Sequence, residues 1–286
     1  MATRTSREAP PTGLVLLAVT SVQFGAALAK TLFDDLGPGG TVLLRVLFAA
    51  VALGLLWRPS LRSRSGRDLA LAALFGITLA GMNFAFYSAL DRIPLGIAVT
   101  FEFVGPLGVA VAGSRRALDL LWVGLAAAGI ALLTDFGQGG VEAAGAGLAL
   151  LAGAFWAAYI LVSARIGQVF ERGSGLAIAM AVATVLLLPV GIADAGGDLL
   201  RPGLLAMGAA VAMLSSAIPY SLELEALRRL PPRVFGVLMS LEPAVATLAG
   251  FAVLGRVLAG REIAGILLVV AASAGAARAP TPPPRD

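Results

Sequence analysis

Long apolar runs alternate with short polar breaks along the whole chain. A helix that crosses a bilayer needs about 20 predominantly apolar residues, and the runs recur at this length. The pattern predicts spans at 13–33, 38–57, 69–90, 94–113, 117–134, 145–166, 174–193, 203–226, 233–254 and 262–277. We therefore predict an all-α integral membrane protein with ten transmembrane helices.

The composition agrees with a membrane protein. The chain is 58% hydrophobic and 13% charged, with a mean hydropathy of +0.91, whereas soluble domains carry about 25% charged residues. Cysteine and histidine are both absent, so disulfides are excluded and the usual ligands of zinc and haem are missing. We expect no cofactor, no metal and no nucleic-acid partner.

Basic residues predict the orientation in the membrane. If both termini are cytoplasmic, 15 of the 21 basic residues lie in cytoplasmic segments, four lie in outer loops and two lie inside spans. Such an excess is the positive-inside signal. The tails at 1–12 and 278–286 are polar or proline-rich, and we expect both to be cytoplasmic and the first span to be retained.

Two segments of the chain resemble each other. "ALDRIPLGIAVTFEFVGP" at 89–106 aligns without gaps with "ALRRLPPRVFGVLMSLEP" at 226–243, a shift of 137 residues that superimposes Pro106 on Pro243. A shift of five spans is odd, so the two halves run in opposite directions. Inverted repeats of this kind build many secondary transporters, whose substrate site lies between the halves. We predict five-helix repeats at 13–134 and 145–277, with helix breaks at the two prolines.

The first half carries a family resemblance. The segment "NFAFYSALDRIPLGIAVTFEFVGPLGVAVAGSRR" at 83–116 resembles the EamA-type drug/metabolite transporter superfamily, and is most similar to its threonine/homoserine exporters. "LEPAVATLAGFAVLG" at 241–255 matches the second half more loosely. The resemblance implies a bacterial inner-membrane exporter of small amino acids, with a central cavity lined by spans 1, 3, 4, 6, 8 and 9.

Glu102 is the leading candidate for the transport chemistry. It lies roughly 12 Å along span 4, at 1.5 Å per residue, where a charge costs at least ~2.5 kcal/mol. The ring of Pro106 clashes with the carbonyl four residues earlier, that of Glu102. We predict that Glu102 binds a substrate ammonium group or exchanges a proton with it. The alternative is a structural acceptor tied to a neighbouring span.

Other polar residues within the spans extend the predicted site. Lys30, the only lysine, could hold a substrate carboxylate or pair with Glu102, or its stem could reach the headgroups. Gln23 lies two turns further inward on the same helix. Asn83 and Tyr87 are four apart and share a face of span 3, where they would suit a hydroxylated amino acid or join neighbouring helices.

Aromatic and charged residues elsewhere are less specific. Trp156 and Tyr159 share a face of span 6 and could cap the cavity or serve only packing. Arg45 in span 2 is predicted to reach outward, toward Asp34 or Asp35.

Three further glutamates lie in the second half. Glu225 is expected to pair with Arg228 or Arg229 at helical spacing. Glu223, near the inner end of span 8, has no such partner in its own helix. Glu242, beside Pro243, is ranked below Glu102 because the repeat alignment places it opposite Gly105.

The sequence thus favours a secondary transporter that exports threonine, homoserine or related amino acids by proton-coupled alternating access. Three alternatives remain: the same fold carrying another metabolite or drug, with or without proton coupling; an intramembrane enzyme using Lys30 with Ser88 or Ser163; and a structural membrane subunit. Ala246 and Gly250 have the spacing of close helix contacts, either within one protomer or in a homodimer. Expected partners are a small amino acid and the lipid bilayer.

Overall fold

A computed structural model describes residues 10–62, 64–93, 95–114, 116–133, 142–245 and 259–278. Regular structure within these residues is entirely helical. The helices are α1 (Pro11–Lys30), α2 (Phe33–Trp57), α3 (Gly66–Leu90), α4 (Leu95–Glu102), α5 (Val104–Gly113), α6 (Ala117–Leu133), α7 (Ala143–Val169), α8 (Ser174–Ala195), α9 (Pro202–Ala212), α10 (Ile218–Leu227), α11 (Pro232–Met239) and α12 (Gly260–Arg278).

Several helices are long and apolar enough to cross a bilayer. These are Phe33–Trp57, Gly66–Leu90, Ala143–Val169, Ser174–Leu200, which includes a short 3-10 turn, and Pro202–Leu227, which includes a π turn. Shorter apolar helices cover Pro11–Ala26, Ile97–Gly113 and Ala117–Leu133. Such helices satisfy every backbone hydrogen bond within one segment, which hydrocarbon requires. The prediction of an all-α membrane protein is confirmed.

The helices lie where the apolar runs predict them. The fourth predicted span is divided between α4 and α5, and the eighth between α9 and α10. The ninth continues from α11 through residues 241–245. Its remainder, with Ala246 and Gly250, lies outside the described residues.

Packing brings distant parts of the chain together. The most extensive contacts join α2 to α8, α3 to α7 and α8, α6 to α12, α1 to α10, and α5 to α11. Small residues permit the closest approaches, as at Gly105 of α5, where a Cβ would overlap the carbonyl oxygen of Gly153 on α7. Close helix contact through small residues is typical of membrane proteins. It leaves a central cavity where larger polar side chains lie.

Candidate functional site

The central cavity lies among helices from both halves of the chain. Its volume is about 100 Å³, which exceeds the space that one water molecule needs. The lining residues are Val22, Arg45, Met82, Asn83, Phe86, Val99, Glu102, Phe103, Trp156, Tyr220, Glu223, Met239 and Glu242. Three carboxyl groups and one guanidinium group therefore face a space that is otherwise apolar and aromatic.

Arg45 is buried in this cavity and is only 8% exposed. Its Nε donates to Ser216 Oγ at 2.7 Å, and its Nη2 donates to the Ser215 carbonyl oxygen at 2.7 Å. Nη1 donates to Tyr87 Oη at 3.0 Å and Nη2 to Tyr220 Oη at 3.0 Å. All four acceptors are neutral, and no ion pair joins Arg45 to a carboxylate in the described part of the chain. The guanidinium therefore keeps a charge that a ligand anion can use.

A π turn supplies two of these acceptors. The segment Met213–Ala217 joins α9 to α10 as a single π turn, a feature that is frequent at functional sites. Pro219 has no N–H and cannot bond the carbonyl four residues earlier, which is that of Ser215. Arg45 donates to this carbonyl instead. The neighbouring Leu214 carbonyl accepts from Ser21 Oγ at 2.7 Å, which ties α1 to the turn.

The three glutamates differ in their partners. Glu223 accepts a hydrogen bond from Tyr159 Oη at 2.8 Å. Glu242 accepts from Gln23 Nε2 at 3.4 Å, a long and weak bond. The side chain of Glu102 has neither a hydrogen bond nor an ion pair with another described residue. Of the three carboxyl groups, that of Glu102 thus has the fewest hydrogen bonds to other described residues.

Two helix interruptions bring Glu102 and Glu242 to the cavity. α4 ends at Glu102, and Phe103 separates it from α5 three residues before Pro106. α11 ends at Met239, and Ser240 follows it three residues before Pro243. The carbonyl oxygen of Glu102 lies 2.5 Å from where a Cβ on Gly153 would be. The carbonyl released by Pro106 therefore faces α7.

The predicted site residues take different positions. Asn83 and Trp156 line the cavity with Glu102. Asn83 Nδ2 donates to the Leu79 carbonyl oxygen at 2.7 Å and to Tyr220 Oη at 3.4 Å. The Trp156 ring lies edge-on to the Phe103 ring, with 5.0 Å between the ring centres.

Three other predicted residues do not line the cavity but contact residues that do. Tyr87 bonds Arg45, Tyr159 bonds Glu223, and Gln23 bonds Glu242. The backbone of Lys30 ends α1, and its side chain lies outside the described part of the structure.

The prediction for Arg45 is wrong. Arg45 does not reach Asp34 or Asp35, and Asp35 instead pairs with Arg201 at 3.3 Å. Arg45 is the thirteenth residue of α2, roughly 18 Å from the start of the helix, so acceptors beside it are nearer than either aspartate. The predicted pairing of Glu225 with Arg228, at 3.0 Å, and with Arg229 is confirmed.

Sequence reasoning missed Tyr220, Ser215 and Ser216. Pro219 within "SSAIPY" is the signal that could have found them, because its ring excludes a helical hydrogen bond to the Ser215 carbonyl, as that of Pro106 does for Glu102. The combined site offers donors to an anion at Arg45 and acceptors to a cation at the glutamates. It can accommodate a small molecule that carries both charges.

Comparison with known proteins gives the family and the fold of the chain. The EamA-like transporter family matches residues 143–278. The chain is 44% identical over 269 residues to the threonine/homoserine exporter RhtA of Salmonella typhimurium, and 43% identical to that of Escherichia coli (strain K12). Each alignment covers 93% of this chain and 90% of the relative. A crystal structure with 20% identity has the same fold, with a TM-score of 0.77 over 93% of this chain and 96% of the other.

Proposed function

Because the chain belongs to the EamA-like transporter family, we propose that it exports threonine, homoserine and related small amino acids across the bacterial inner membrane. It is a multi-pass membrane transporter and not an enzyme. The single observation that supports this substrate class best is the charge arrangement of the cavity. One guanidinium and three carboxyl groups face the same small space, as a zwitterionic amino acid requires.

The proposed substrate lies with its two charged ends toward different helices. The carboxylate binds Arg45 of α2, which takes the role that the sequence analysis gave to Lys30. The ammonium group binds Glu102, whose side chain has no hydrogen bond to another described residue, with Glu223 and Glu242 nearby. Asn83 brings a side-chain amide to the lining and suits a substrate hydroxyl.

We propose that the protein consists of two inverted five-helix repeats, 13–134 and 145–277. Shifting α3 by 137 residues gives 203–227, which matches α9 to α10 at 202–227, and shifting α2 gives 170–194, which matches α8 at 174–195. Corresponding helices also pack together, as α2 with α8 and α6 with α12. This pairing is what a pseudo-two-fold axis produces, and an odd number of spans in each half places that axis in the membrane plane.

The mechanism is alternating access with proton exchange at Glu102. A carboxyl group that binds an ammonium group must release its proton first, and the chain contains no histidine to serve instead. Both termini are cytoplasmic by the distribution of arginine. A homodimer remains a prediction, since Ala246 and Gly250 lie outside the described residues.

Uptake into inside-out membrane vesicles tests this function. Labelled threonine and homoserine are supplied with and without a pH gradient to vesicles that contain the wild type, Glu102→Gln or Glu225→Gln. We expect gradient-driven uptake by the wild type, near-complete loss in Glu102→Gln and little change in Glu225→Gln, because Glu225 pairs with Arg228 and Arg229 outside the cavity.

Each failure has a separate meaning. No uptake of either amino acid by folded wild type would refute the substrate and leave another metabolite or drug as the cargo. Uptake that does not respond to the gradient would refute proton coupling and favour a facilitator.

A further inference from the structure

A second space lies beside the central cavity. This polar recess has a volume of about 590 Å³ and opens to the surface of the protein. It is lined by Gly37, Pro38, Gly39, Val42, Phe84, Tyr87, Ser88, Asp91, Arg92, Val190, Ala193 and Asp194. None of these residues lines the central cavity.

Recess and cavity are both lined by α2 and α3. On α2, Val42 lines the recess and Arg45 lines the cavity, about one helical turn apart. On α3 the two sets alternate: Asn83 and Phe86 line the cavity, whereas Phe84 and Tyr87 line the recess. The two spaces therefore lie on different faces of α3 and are separated by a layer of side chains between α2 and α3.

That layer contains the hydrogen bond between Arg45 and Tyr87. Arg45 Nη1 donates to Tyr87 Oη at 3.0 Å, and the guanidinium carbon lies 5.8 Å from the centre of the Tyr87 ring. The centre of the Tyr87 ring also lies 5.3 Å from that of the Phe33 ring and 6.2 Å from that of the Phe86 ring. Tyr87 is only 6% exposed, so it blocks direct passage from the recess toward Arg45.

We propose that Tyr87 is a gate which the substrate carboxylate opens by competing for Arg45. A carboxylate is a stronger acceptor for a guanidinium than a neutral hydroxyl, so a bound amino acid displaces Tyr87 Oη. Loss of this bond releases the ring and connects the cavity to the recess. The inference rests on the proposed function. It makes the carboxylate the part of the substrate that opens the connection between the cavity and the recess.

Cysteine accessibility tests the gate without any substrate. The chain has no cysteine, so a single cysteine can be read directly in spheroplasts and inside-out vesicles with a membrane-impermeant maleimide. Labelling of Ser88→Cys measures access to the recess, and it shows whether the recess is exposed in spheroplasts or in inside-out vesicles. Labelling of Val99→Cys measures access to the cavity. We expect Tyr87→Phe to speed labelling of Val99→Cys by about tenfold, the value of one hydrogen bond to a charged group.

Tyr220→Phe is the matched control. It also removes a hydroxyl that Arg45 binds, but Tyr220 does not line the recess. Labelling of Val99→Cys should be unchanged in Tyr220→Phe, and labelling of Ser88→Cys should be equal in all backgrounds. Equal labelling of Val99→Cys in wild type and Tyr87→Phe would overturn the gate.

Ligand affinity tests the competition separately. Purified wild type and Tyr87→Phe are titrated with threonine and with 1-amino-2-propanol, which lacks only the carboxylate. We expect Tyr87→Phe to bind threonine up to about tenfold more tightly and the amino alcohol with unchanged affinity. Weaker threonine binding would overturn the proposal, since Tyr87 would then contact the substrate itself. If neither protein binds threonine, the proposed function fails while the accessibility result still decides whether Tyr87 separates the two spaces.

Discussion

The two proline-containing interruptions have almost the same backbone. Phe103 has φ −63° and ψ −14°, and Ser240 has φ −61° and ψ −11°. Both residues lie three positions before a proline, and they are 137 residues apart, as the internal repeat requires. A proline removes one helical hydrogen bond and crowds the preceding turn, so the same break forms wherever the repeat places one.

The side chains around the two interruptions are different. Gly105 corresponds to Glu242 in the repeat, and Glu102 corresponds to Met239. The first interruption is closed tightly against α7, which packs on both α4 and α5. The counterpart of α7 is α1, which contacts α11 far less than α7 contacts α4, and Glu242 faces the cavity. Glu102 and its counterpart Met239 therefore both line the cavity, whereas Glu242 lines it without a counterpart, because Gly105 has no side chain and is packed against α7.

The largest effect is expected from closing the space at the first interruption. In Gly105→Ala the new Cβ overlaps the Gly153 carbonyl oxygen, and backbone cannot move aside as a flexible side chain can. We expect a loss of about 3 kcal/mol in the free energy of unfolding. Gly108→Ala on the same helix is the control, because its Cβ meets nothing within 4 Å. Equal unfolding temperatures of the two variants in detergent would show that the contact between α5 and α7 tolerates a side chain at Gly105.

The two carboxylates should contribute unequally to transport. We expect Glu102→Gln to lower kcat/KM for threonine by about 100-fold and Glu242→Gln by about tenfold, within the range for hydrogen bonds to charged groups. Glu102 has no hydrogen bond with another described residue, whereas Glu242 already accepts one from Gln23. Initial rates in vesicles measure both values, and the reverse order would make Glu242 the principal ammonium ligand.

The smallest effect is expected at Gln23. Its bond to Glu242 is 3.4 Å long, and Gln23 does not line the cavity, so Gln23→Leu should change threonine transport by less than about threefold. Gln23→Leu should also free Glu242 for the substrate, and so reduce the difference in kcat/KM between Glu102→Gln and Glu242→Gln. A loss of tenfold or more would mean that Gln23 contacts the substrate directly.

Hydropathy predicted most of the helices because the bilayer imposes a fixed length on each apolar run. The same reasoning selected Glu102, since a carboxylate deep in an apolar span is costly, and Glu102 does line the cavity. Asn83 and Trp156 were selected in the same way, as polar or amphipathic groups within spans, and both also line the cavity. These predictions needed only the sequence of one helix at a time.

Predictions that depended on two helices were less successful. Arg45 is held by the π turn and Tyr220, about 170 residues further along the chain, and no local pattern indicates that contact. Trp156 and Tyr159 share a helix face as expected, yet one lines the cavity and the other binds Glu223. Helical spacing predicts direction around an axis, whereas the identity of the neighbouring helix decides the role.

Ligand binding by charge-deleted variants tests the central claim most directly. Purified wild type, Arg45→Gln and Glu102→Gln are titrated with threonine, with 1-amino-2-propanol, which lacks the carboxylate, and with 3-hydroxybutanoate, which lacks the amine. Wild type should prefer threonine to either analogue by at least about tenfold. Arg45→Gln should no longer prefer threonine to the amino alcohol but should still prefer it to the hydroxy acid. Glu102→Gln should show the reverse, with no preference over the hydroxy acid and a retained preference over the amino alcohol. If both preferences survive in both folded variants, the cavity does not recognise the two charges of an amino acid through these residues.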